Sequence, residues 1–363
     1  MDIFEQLREV LDTHPSGAPK APAFDEILRI LFSDEEASLA VHMSFSAMPP
    51  ARIAEAAGVS VEHARELLER MCERGVATSK DRKDGSRDYA LVATIPGLFE
   101  FPFMKDNPPQ AKRLAALWQQ YHATGMGASF AGHPTPMMRV VPINKSLASK
   151  NQVHPYEEVE GLIRRSSYRA VARCACRASV KACDAPLDVC LIFDQMARAL
   201  VNHGFARAIE IDEAINVLDR SEAAGLVHTS NNSADRATVI CNCCPCCCTV
   251  LRGRTELGLR EAFSPSAWQA ASDAEKCTGC GVCAEERCPV KAIQLEDDVA
   301  VVDAAACIGC GLCVSTCVAG AMALEPRPNP AEIPATTSEL GLKVVSEKGN
   351  LERFMAIMAR AAK

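Results

Sequence analysis

Cysteine is the residue type in this chain whose number and spacing point most directly to chemistry. The 363 residues include 19 cysteines, and 18 of these lie in three groups. One group is an internal repeat, in which each half carries a C-x-x-C-x-x-C run and then a fourth cysteine. The halves hold Cys277, Cys280, Cys283 and Cys288, and then Cys307, Cys310, Cys313 and Cys317. Clustered thiols of this kind are metal ligands or redox groups.

The spacing of the repeat suits a cubane iron–sulfur cluster, which needs four thiolates aimed at one centre. A C-x-x-C-x-x-C run in a tight glycine-containing loop directs three thiolates inward, and its backbone amides can donate hydrogen bonds to cluster sulfur. The fourth thiolate must come from elsewhere in the chain. Zinc is one alternative, but zinc sites usually show two separated C-x-x-C pairs rather than duplicated triplets. Idle thiols are the other alternative.

The repeat resembles the bacterial dicluster ferredoxins over about 50 residues. In that family the fourth cysteine of each run ligates the other cluster. The resemblance therefore implies two 4Fe–4S clusters, one held by Cys277, Cys280, Cys283 and Cys317 and the other by Cys307, Cys310, Cys313 and Cys288. Two departures are visible. Four residues (AEER) separate Cys283 from Cys288 where the family usually has three, and Val318 replaces the usual proline.

Ten further cysteines lie upstream in two segments. They are Cys174, Cys176, Cys183 and Cys190, followed by Cys241, Cys243, Cys244, Cys246, Cys247 and Cys248. Ten thiols exceed the demand of one cubane, and neighbouring cysteines rarely ligate one metal because successive side chains diverge. We therefore expect the cysteines of 243–248 to divide between clusters, or between ligation and packing. One or two further iron–sulfur clusters are expected here, with zinc or structural thiols as alternatives.

Four short segments of this region resemble a little-characterised group of multi-cluster ferredoxin-type proteins of anaerobic bacteria. The segments are CxCR at 174–177, PLxxCL at 186–191, GLVH at 225–228 and CNCCxCCC at 241–248. The resemblance implies a role in electron transfer. Arg173 and Arg177 flank the first cysteine pair, where they would either offset the charge of a thiolate-bound cluster or lie on the surface.

Other candidate ligands are expected to be structural. His154, His203 and His228 lie in or beside the same region and are expected to be packed or surface histidines. Cys72 lies on a predicted helix and is expected to behave as a small buried apolar residue.

The composition is that of a folded protein in a reducing compartment. Hydrophobic residues make up 48% of the chain and charged residues 23%, which excludes a disordered or collagen-like chain. The net charge of −7 excludes a basic footprint over the whole protein. The acidic start lacks a secretory signal, and no run of 18 apolar residues is present. We therefore expect a cytoplasmic protein without a membrane span.

The elements expected to position the cysteines form an α+β multidomain chain. Residues 1–100 predict a winged-helix-like domain, because a helix over 61–74 is followed by a hairpin turning at Asp84-Gly85. Residues 101–154 are expected to connect it to a mostly helical cysteine-rich module at 155–265, with helices at 186–203 and 212–224. A bacterial-ferredoxin-like dicluster domain follows at 266–326. A proline-rich linker and a terminal helix over 350–362 occupy 327–363.

The charge of the predicted winged helix argues against DNA binding. Its second helix carries four glutamates against three arginines, whereas a surface facing phosphates should be clearly positive. The hairpin is more basic, with Lys80, Arg82, Lys83 and Arg87, so contact through the wing is an alternative. The helix charge favours a docking or dimerisation module, through which the chain would form an oligomer. Glycine-rich nucleotide fingerprints are not found in the sequence.

These inferences converge on a multi-cluster iron–sulfur protein that passes single low-potential electrons from a donor to a partner reductase. We expect an electron carrier or an oxidoreductase subunit rather than a self-sufficient enzyme. Two alternatives belong to other classes. One is a redox-responsive winged-helix transcription regulator, and the other is a reductase subunit whose middle cluster has an open site for substrate.

Overall fold

The structure, a computed structural model, describes residues 2–105, 110–143, 146–147 and 158–362. It mixes helices and strands, which confirms the α+β expectation at that level. The N-terminal part is helical, with α1 (Ile3–Asp12), α2 (Pro22–Leu31), α3 (Asp34–Ala40), α4 (Pro50–Ala57) and α5 (Val61–Arg74). The apolar faces of these helices pack into a shared core that includes Leu11, Phe24 and Leu67.

Local sequence sets the ends of these helices. Pro22 and Pro50 occupy the first turn of α2 and α4, where a backbone N–H would have no helical partner in any case. Ser60 caps α5, because its hydroxyl accepts the backbone N–H of His63. Gly75 ends α5 with a φ of 76°, a left-handed conformation that glycine adopts readily. The helix predicted over 61–74 is therefore confirmed.

A hairpin follows α5, formed by β1 (Ala77–Asp81) and β2 (Arg87–Leu91). The two strands are antiparallel, and their register runs from Ala77 opposite Leu91 to Asp81 opposite Arg87. Tyr89 of β2 also pairs with Met48, which lies just ahead of α4. The predicted hairpin is confirmed, while the winged-helix assignment stays a prediction.

The segment between residues 101 and 154 was expected to connect two domains. Its described part packs against the N-terminal helices and also joins the sheet of the middle region. It contains α6 (Glu100–Met104), α7 (Ala111–Tyr121), a π-helical turn (His122–Met126), α8 (Gly127–Ala131) and the short strand β3 (Met138–Val140). Helix α7 packs on α2, where the rings of Tyr121 and Phe24 stack with centroids 4.5 Å apart. Strand β3 joins the sheet of the following region.

The middle region is organised by a six-stranded antiparallel sheet, so the expectation of a mostly helical module at 155–265 is wrong. The further strands are β4 (Arg169–Arg173), β5 (Asp188–Phe193), β6 (Ala206–Ala208), β7 (Val227–Asn231) and β8 (Val239–Cys243), in the order β3-β7-β8-β5-β4-β6. The helix predicted over 186–203 is a strand in its first half. The run VCLIF is buried on both faces and lacks the alternation that marks a half-exposed strand.

Helices and turns flank this sheet. They are α9 (Val159–Arg165), α10 (Ala175–Val180), α11 (Asp194–Asn202), α12 (Ile211–Ala223), α13 (Thr249–Thr255) and a single 3-10 turn (Arg260–Ala262). Helices α11 and α12 pack against β4 and β5. The helix predicted over 212–224 is confirmed within one residue. His154 lies outside the described residues.

The C-terminal part contains two small antiparallel sheets and three helices. Strand β9 (Trp268–Ser272) pairs with β12 (Met322–Pro326), and β10 (Ile293–Glu296) pairs with β11 (Val299–Val302). The helices are α14 (Leu312–Ser315), α15 (Thr337–Glu347) and α16 (Leu351–Ala362), the last confirming the predicted terminal helix. Arg360 of α16 donates hydrogen bonds to the carbonyls of Val41 and Met43, 2.7 and 2.9 Å away. Within the described residues, no helix has the length and apolar character needed to cross a bilayer.

Candidate metal centres

The two repeat loops share a backbone geometry that depends on glycine. Gly279 and Gly281 have φ angles of 66° and 76° in the first loop, and Gly309 and Gly311 have 69° and 82° in the second. A residue with a side chain pays roughly 1–2 kcal/mol for this left-handed conformation. At Gly309 an added Cβ would also lie 2.1 Å from the carbonyl oxygen of Trp268. Both loops can therefore turn tightly around a centre.

Backbone amides donate hydrogen bonds to four thiols of the repeat. The N–H···Sγ pairs are Ala292 to Cys288 (3.1 Å), Ala321 to Cys317 (3.3 Å), Ala300 to Cys277 (3.4 Å) and Ala270 to Cys307 (3.4 Å). In each half the fourth cysteine accepts from the amide four residues after it. Amide donors favour a thiolate, and they lower the pKa of Cys277. The donors thus suit cysteines that ligate a metal as thiolates.

Four repeat thiols surround one cavity. Cys307, Cys310 and Cys313 of the second loop and Cys288 of the first half line this cavity together. Burial raises the pKa of the Cys310 thiol to about 12, and neighbouring thiolates, including that of Cys288, add to the effect. This set is the one that the ferredoxin resemblance implied for one cluster. Four thiols around one cavity fit the ligand demand of a 4Fe–4S cluster.

The extra residue after Cys283 is accommodated locally. Cys283–Arg287 forms a π-helical turn, which takes up one additional residue within a helical turn. Burial raises the pKa of the Cys283 thiol, and the neighbouring charges of Cys280 and Cys277 add to this increase. Cys317 belongs to the same apolar cluster as Cys277 and Cys283. The same cluster also includes Cys288, Cys307 and Cys313, so it joins the two halves of the repeat.

The two sets of repeat cysteines differ in exposure. Cys280 is exposed, while Cys277, Cys283 and Cys317 are half-buried. Cys307, Cys310 and Cys313 are all buried. The first loop thus faces solvent, and the second lies inside the molecule.

Four of the ten upstream cysteines form a compact group, which we call the four-thiol site: Cys183, Cys244, Cys246 and Cys247. All four Sγ atoms lie within 4.8 Å of one another. Cys183 Sγ lies 3.7 Å from Cys244 Sγ and 3.9 Å from Cys247 Sγ. The Sγ atoms of Cys246 and Cys247 are 3.8 Å apart. The expectation that neighbouring cysteines diverge is wrong for this pair, because both residues lie in a turn rather than in a strand.

Arg177 lies against the four-thiol site and is not a surface residue. Its side chain is fully buried and donates hydrogen bonds to the carbonyls of Pro186 and Asn242, the latter at 2.9 Å. The nearby thiolate charges of Cys174, Cys244 and Cys243 raise the pKa of its guanidinium against the effect of burial. One positive charge is therefore fixed close to Cys244 of the four-thiol site and to two further cysteines. Arg173 is half-buried at the end of β4.

The other six upstream cysteines form a second group, the six-thiol row. Consecutive thiols are close enough to shift one another's pKa in the order Cys174, Cys190, Cys241, Cys243, Cys248 and Cys176. The thiols on either side lower the pKa of Cys190 and of Cys243. The sheet creates this row, because β5 carries Cys190 beside β8, which carries Cys241 and Cys243.

The six-thiol row adjoins the second repeat loop. Cys243 and Cys248 share one apolar cluster with Cys310, packed together with Leu251 and Phe263. The backbone N–H of Ile143 donates to the carbonyl of Cys310 at 3.1 Å. The buried repeat cysteines and the middle cysteines therefore belong to one continuous interior.

Three polar side chains beside the row were missed by sequence reasoning. Thr229 Oγ1 lies 3.5 Å from Cys243 Sγ, and Thr249 Oγ1 lies 3.7 Å from Cys176 Sγ. Burial raises the pKa of Glu100 to about 7, and the neighbouring Cys190 adds to this increase. The pairing of β7 with β8 places Thr229 beside the row, and the start of α13 directly after Cys248 places Thr249 there. Glu100 has no signal in the sequence, because its segment is distant along the chain.

The remaining candidates are placed away from ligand groups. His228 is buried and its Nδ1 lies 2.5 Å from Asn242 Oδ1, while His203 Nε2 lies 2.9 Å from the hydroxyl of Ser79. Cys72 is buried in the N-terminal core, and burial raises its pKa to about 12. These residues have the structural roles expected of them.

The comparison with protein families agrees with the geometry of the repeat. The family model described as a 4Fe-4S dicluster domain matches residues 270–318, a range that includes all eight repeat cysteines. Neither the curated proteins nor the solved structures yield a match to this chain. The chain therefore carries a 4Fe–4S dicluster domain in its C-terminal part, within a larger mixed α and β structure.

Proposed function

We propose that this chain is a multi-cluster electron-transfer protein that carries single low-potential electrons between a donor and a partner reductase. The observation that carries the proposal is the continuity of its cysteines. They run from the exposed Cys280, through the buried second loop at Cys310, to the six-thiol row at Cys243 and Cys248. When bound, a 4Fe–4S cluster supplies the capacity to take up and release one electron.

The chain's own residues would set the reduction potentials of the clusters. The amides of Ala292 and Ala321 donate to the fourth cysteine of each half, which stabilises negative charge on sulfur. Trp268, Leu324 and Met322 pack around the repeat and keep water from the second loop. The first loop, in contrast, lies at the surface, where a partner protein can approach. These features support electron transfer from the surface loop toward the interior of the molecule.

The proposed setting is the cytoplasm. All 19 cysteines of the chain are free thiols in the structure, and metal-binding thiols persist in a reducing compartment. Both proposed partners are redox proteins.

The proposal is tested by reducing anaerobically purified protein and recording electron paramagnetic resonance spectra. We expect at least eight irons per chain with matching sulfide, four for each cubane. We also expect signals broadened by magnetic interaction between neighbouring reduced clusters. Cys310→Ser should abolish that interaction, whereas Cys72→Ser, which lies in the N-terminal core, should leave it unchanged. Protein without reducible iron would overturn the proposal.

The DNA-binding alternative is less well supported by the hairpin. Arg87 pairs with Glu69 at 3.0 Å and with Asp81 at 2.8 Å, and Arg82 pairs with Asp88 at 2.6 Å. These acidic partners occupy the guanidinium groups that would face phosphates. The pairing favours protein docking through this region over contact with a phosphate backbone.

A further inference from the structure

The four-thiol site has the dimensions of a tetrahedron around a single ion. The Sγ–Sγ distances of 3.7, 3.8 and 3.9 Å involve all four of its cysteines. A tetrahedral ion with metal–sulfur bonds of about 2.3 Å separates its thiolates by about 3.8 Å. In a cubane, each thiolate binds a different iron and the thiolates stand farther apart. The observed spacing therefore fits one ion rather than a cluster.

The four thiols come from two separate loops. Cys183 lies between α10 and β5, and the other three lie in the turn between β8 and α13. Pro245 is in the middle of that turn, and the turn brings the adjacent Cys246 and Cys247 to the same side. A shared ion would tie the two loops together. The first loop leads into β5, which carries Cys190, and the second follows β8, which carries Cys241 and Cys243.

Arg177 provides a second, independent indication of a charged occupant. Four thiolates around a divalent ion leave a net charge of −2, which is unfavourable in a partly buried place unless it is offset. The buried Arg177 guanidinium lies near the Cys244 thiol, and it donates to the carbonyl of Pro186 in the first loop and to that of Asn242 in β8. The positive charge thus comes from α10, the helix that leads into the loop carrying Cys183.

We propose that Cys183, Cys244, Cys246 and Cys247 bind one zinc ion in a structural tetrathiolate site, separate from the iron–sulfur clusters. Zinc takes four thiolates in a closed tetrahedron and has no redox chemistry of its own. The site fixes the loop ahead of β5 and the turn after β8, and so holds Cys190, Cys241 and Cys243 in register. The upstream cysteines therefore divide into four for zinc and six for the row.

The first test needs no variant. X-ray absorption at the zinc edge is recorded on full-length protein purified anaerobically without added zinc, and metals are counted by mass spectrometry. We expect about one zinc per chain, surrounded by four sulfurs at about 2.3 Å. Zinc well below one per chain, or zinc bound to nitrogen or oxygen, would overturn the proposal. Iron in a single-ion sulfur site would overturn it as well.

The second test uses single substitutions at half-buried ligands. Cys183→Ser and Cys246→Ser should each lower bound zinc to less than half of the wild-type value. The iron and sulfide of the repeat, and its reduced spectrum, should be retained. Cys72→Ser is the matched control and should keep both metals. A loss of iron with unchanged zinc would assign these thiols to a cluster instead. The zinc count and the reducible iron are separate readouts, so this proposal and the electron-transfer proposal can fail independently.

Discussion

At the scale of single residues, Gly309 meets two constraints in the second repeat loop. Its φ of 69° is left-handed, and a Cβ there would meet the Trp268 carbonyl oxygen at 2.1 Å. Gly320 has a similar φ of 64° with no atom near the added Cβ. We expect Gly320→Ala to cost about 1 kcal/mol of unfolding free energy. Gly309→Ala should cost more and should also lower the iron content.

Denaturant unfolding and iron analysis of the two variants separate these contributions. If Gly309→Ala is no worse than Gly320→Ala in both measurements, the close approach to Trp268 does not matter for the loop. The comparison is matched because both glycines lie in the C-terminal domain with left-handed backbone.

Arg177 provides a second test at the residue scale. Replacing it with leucine leaves buried carbonyls and thiols without their charged partner, so we expect a loss of about 3 kcal/mol in unfolding free energy. Arg177→Lys keeps the charge but cannot reach both carbonyls, and should lie between wild type and Arg177→Leu. Arg164→Leu, at an exposed position on α9, is the control and should change little. Denaturant unfolding under anaerobic conditions measures all four proteins.

If Arg177→Lys is as stable as wild type, the guanidinium geometry is irrelevant and only the charge counts. If both variants match wild type, the buried arginine has no structural role.

Single residues also show how far sequence can predict the candidate site. The repeat cysteines were predictable because their spacing is local, and the resemblance to dicluster ferredoxins implies the fourth ligand of each set. The grouping of the upstream cysteines was not, because it depends on which strands are neighbours. Cys190 meets Cys241 only through the pairing of β5 with β8. Cys246 and Cys247 converge only because a turn holds them.

The end of helix α10 sets the position of Cys183 at the scale of an element. Lys181 closes this helix with a φ of 55°, a conformation that costs a lysine roughly 1 kcal/mol relative to glycine. Lys181→Gly should therefore raise the unfolding free energy by up to about 1 kcal/mol. Lys343→Gly, at an exposed position inside α15, should lower it by about the same amount.

Thermal unfolding of the two glycine variants provides the measurement. Opposite signs are expected, and a destabilised Lys181→Gly would mean that the lysine side chain itself contributes more than its backbone costs.

Elements were predictable where local chemistry marks their ends. Helix α5 begins at a serine cap and ends at a glycine, so its bounds were predicted correctly. Strand β5 carries no such marks, and its continuous apolar run is equally typical of a buried helix. Only burial between α11, α12 and the neighbouring strands decides in favour of a strand.

At the scale of the whole molecule, the N-terminal and C-terminal helices pack against each other, and His14 lies where they meet. Its ring packs against Phe45 and Phe354, and its Nδ1 accepts the backbone N–H of Ser16. Burial lowers the pKa of His14 to about 3, and the charge of Lys348 adds to this decrease. The folded protein therefore holds His14 neutral over a range in which the unfolded chain is protonated.

This difference predicts how stability depends on pH. Below the ordinary histidine pKa of about 6.5, the unfolded chain binds a proton that folded His14 does not, so unfolding becomes easier as pH falls toward 3. The contribution should approach 1.4 kcal/mol per pH unit. The difference in unfolding free energy between wild type and His14→Gln should show this slope. A flat difference between pH 4 and 6.5 would contradict the assignment.

The gradient of exposure among the cysteines has a consequence for damage by air. Oxidation of thiolates and of their metal sites follows access to solvent, and the Cys280 loop is the part of the repeat that solvent reaches. The second loop and the row lie behind it, under Trp268 and Phe263. Brief exposure to oxygen should therefore oxidise the outer metal centre and leave the inner ones intact. A chain damaged in this way would keep its inner centres, but it would have lost the surface contact through which it exchanges electrons with a partner.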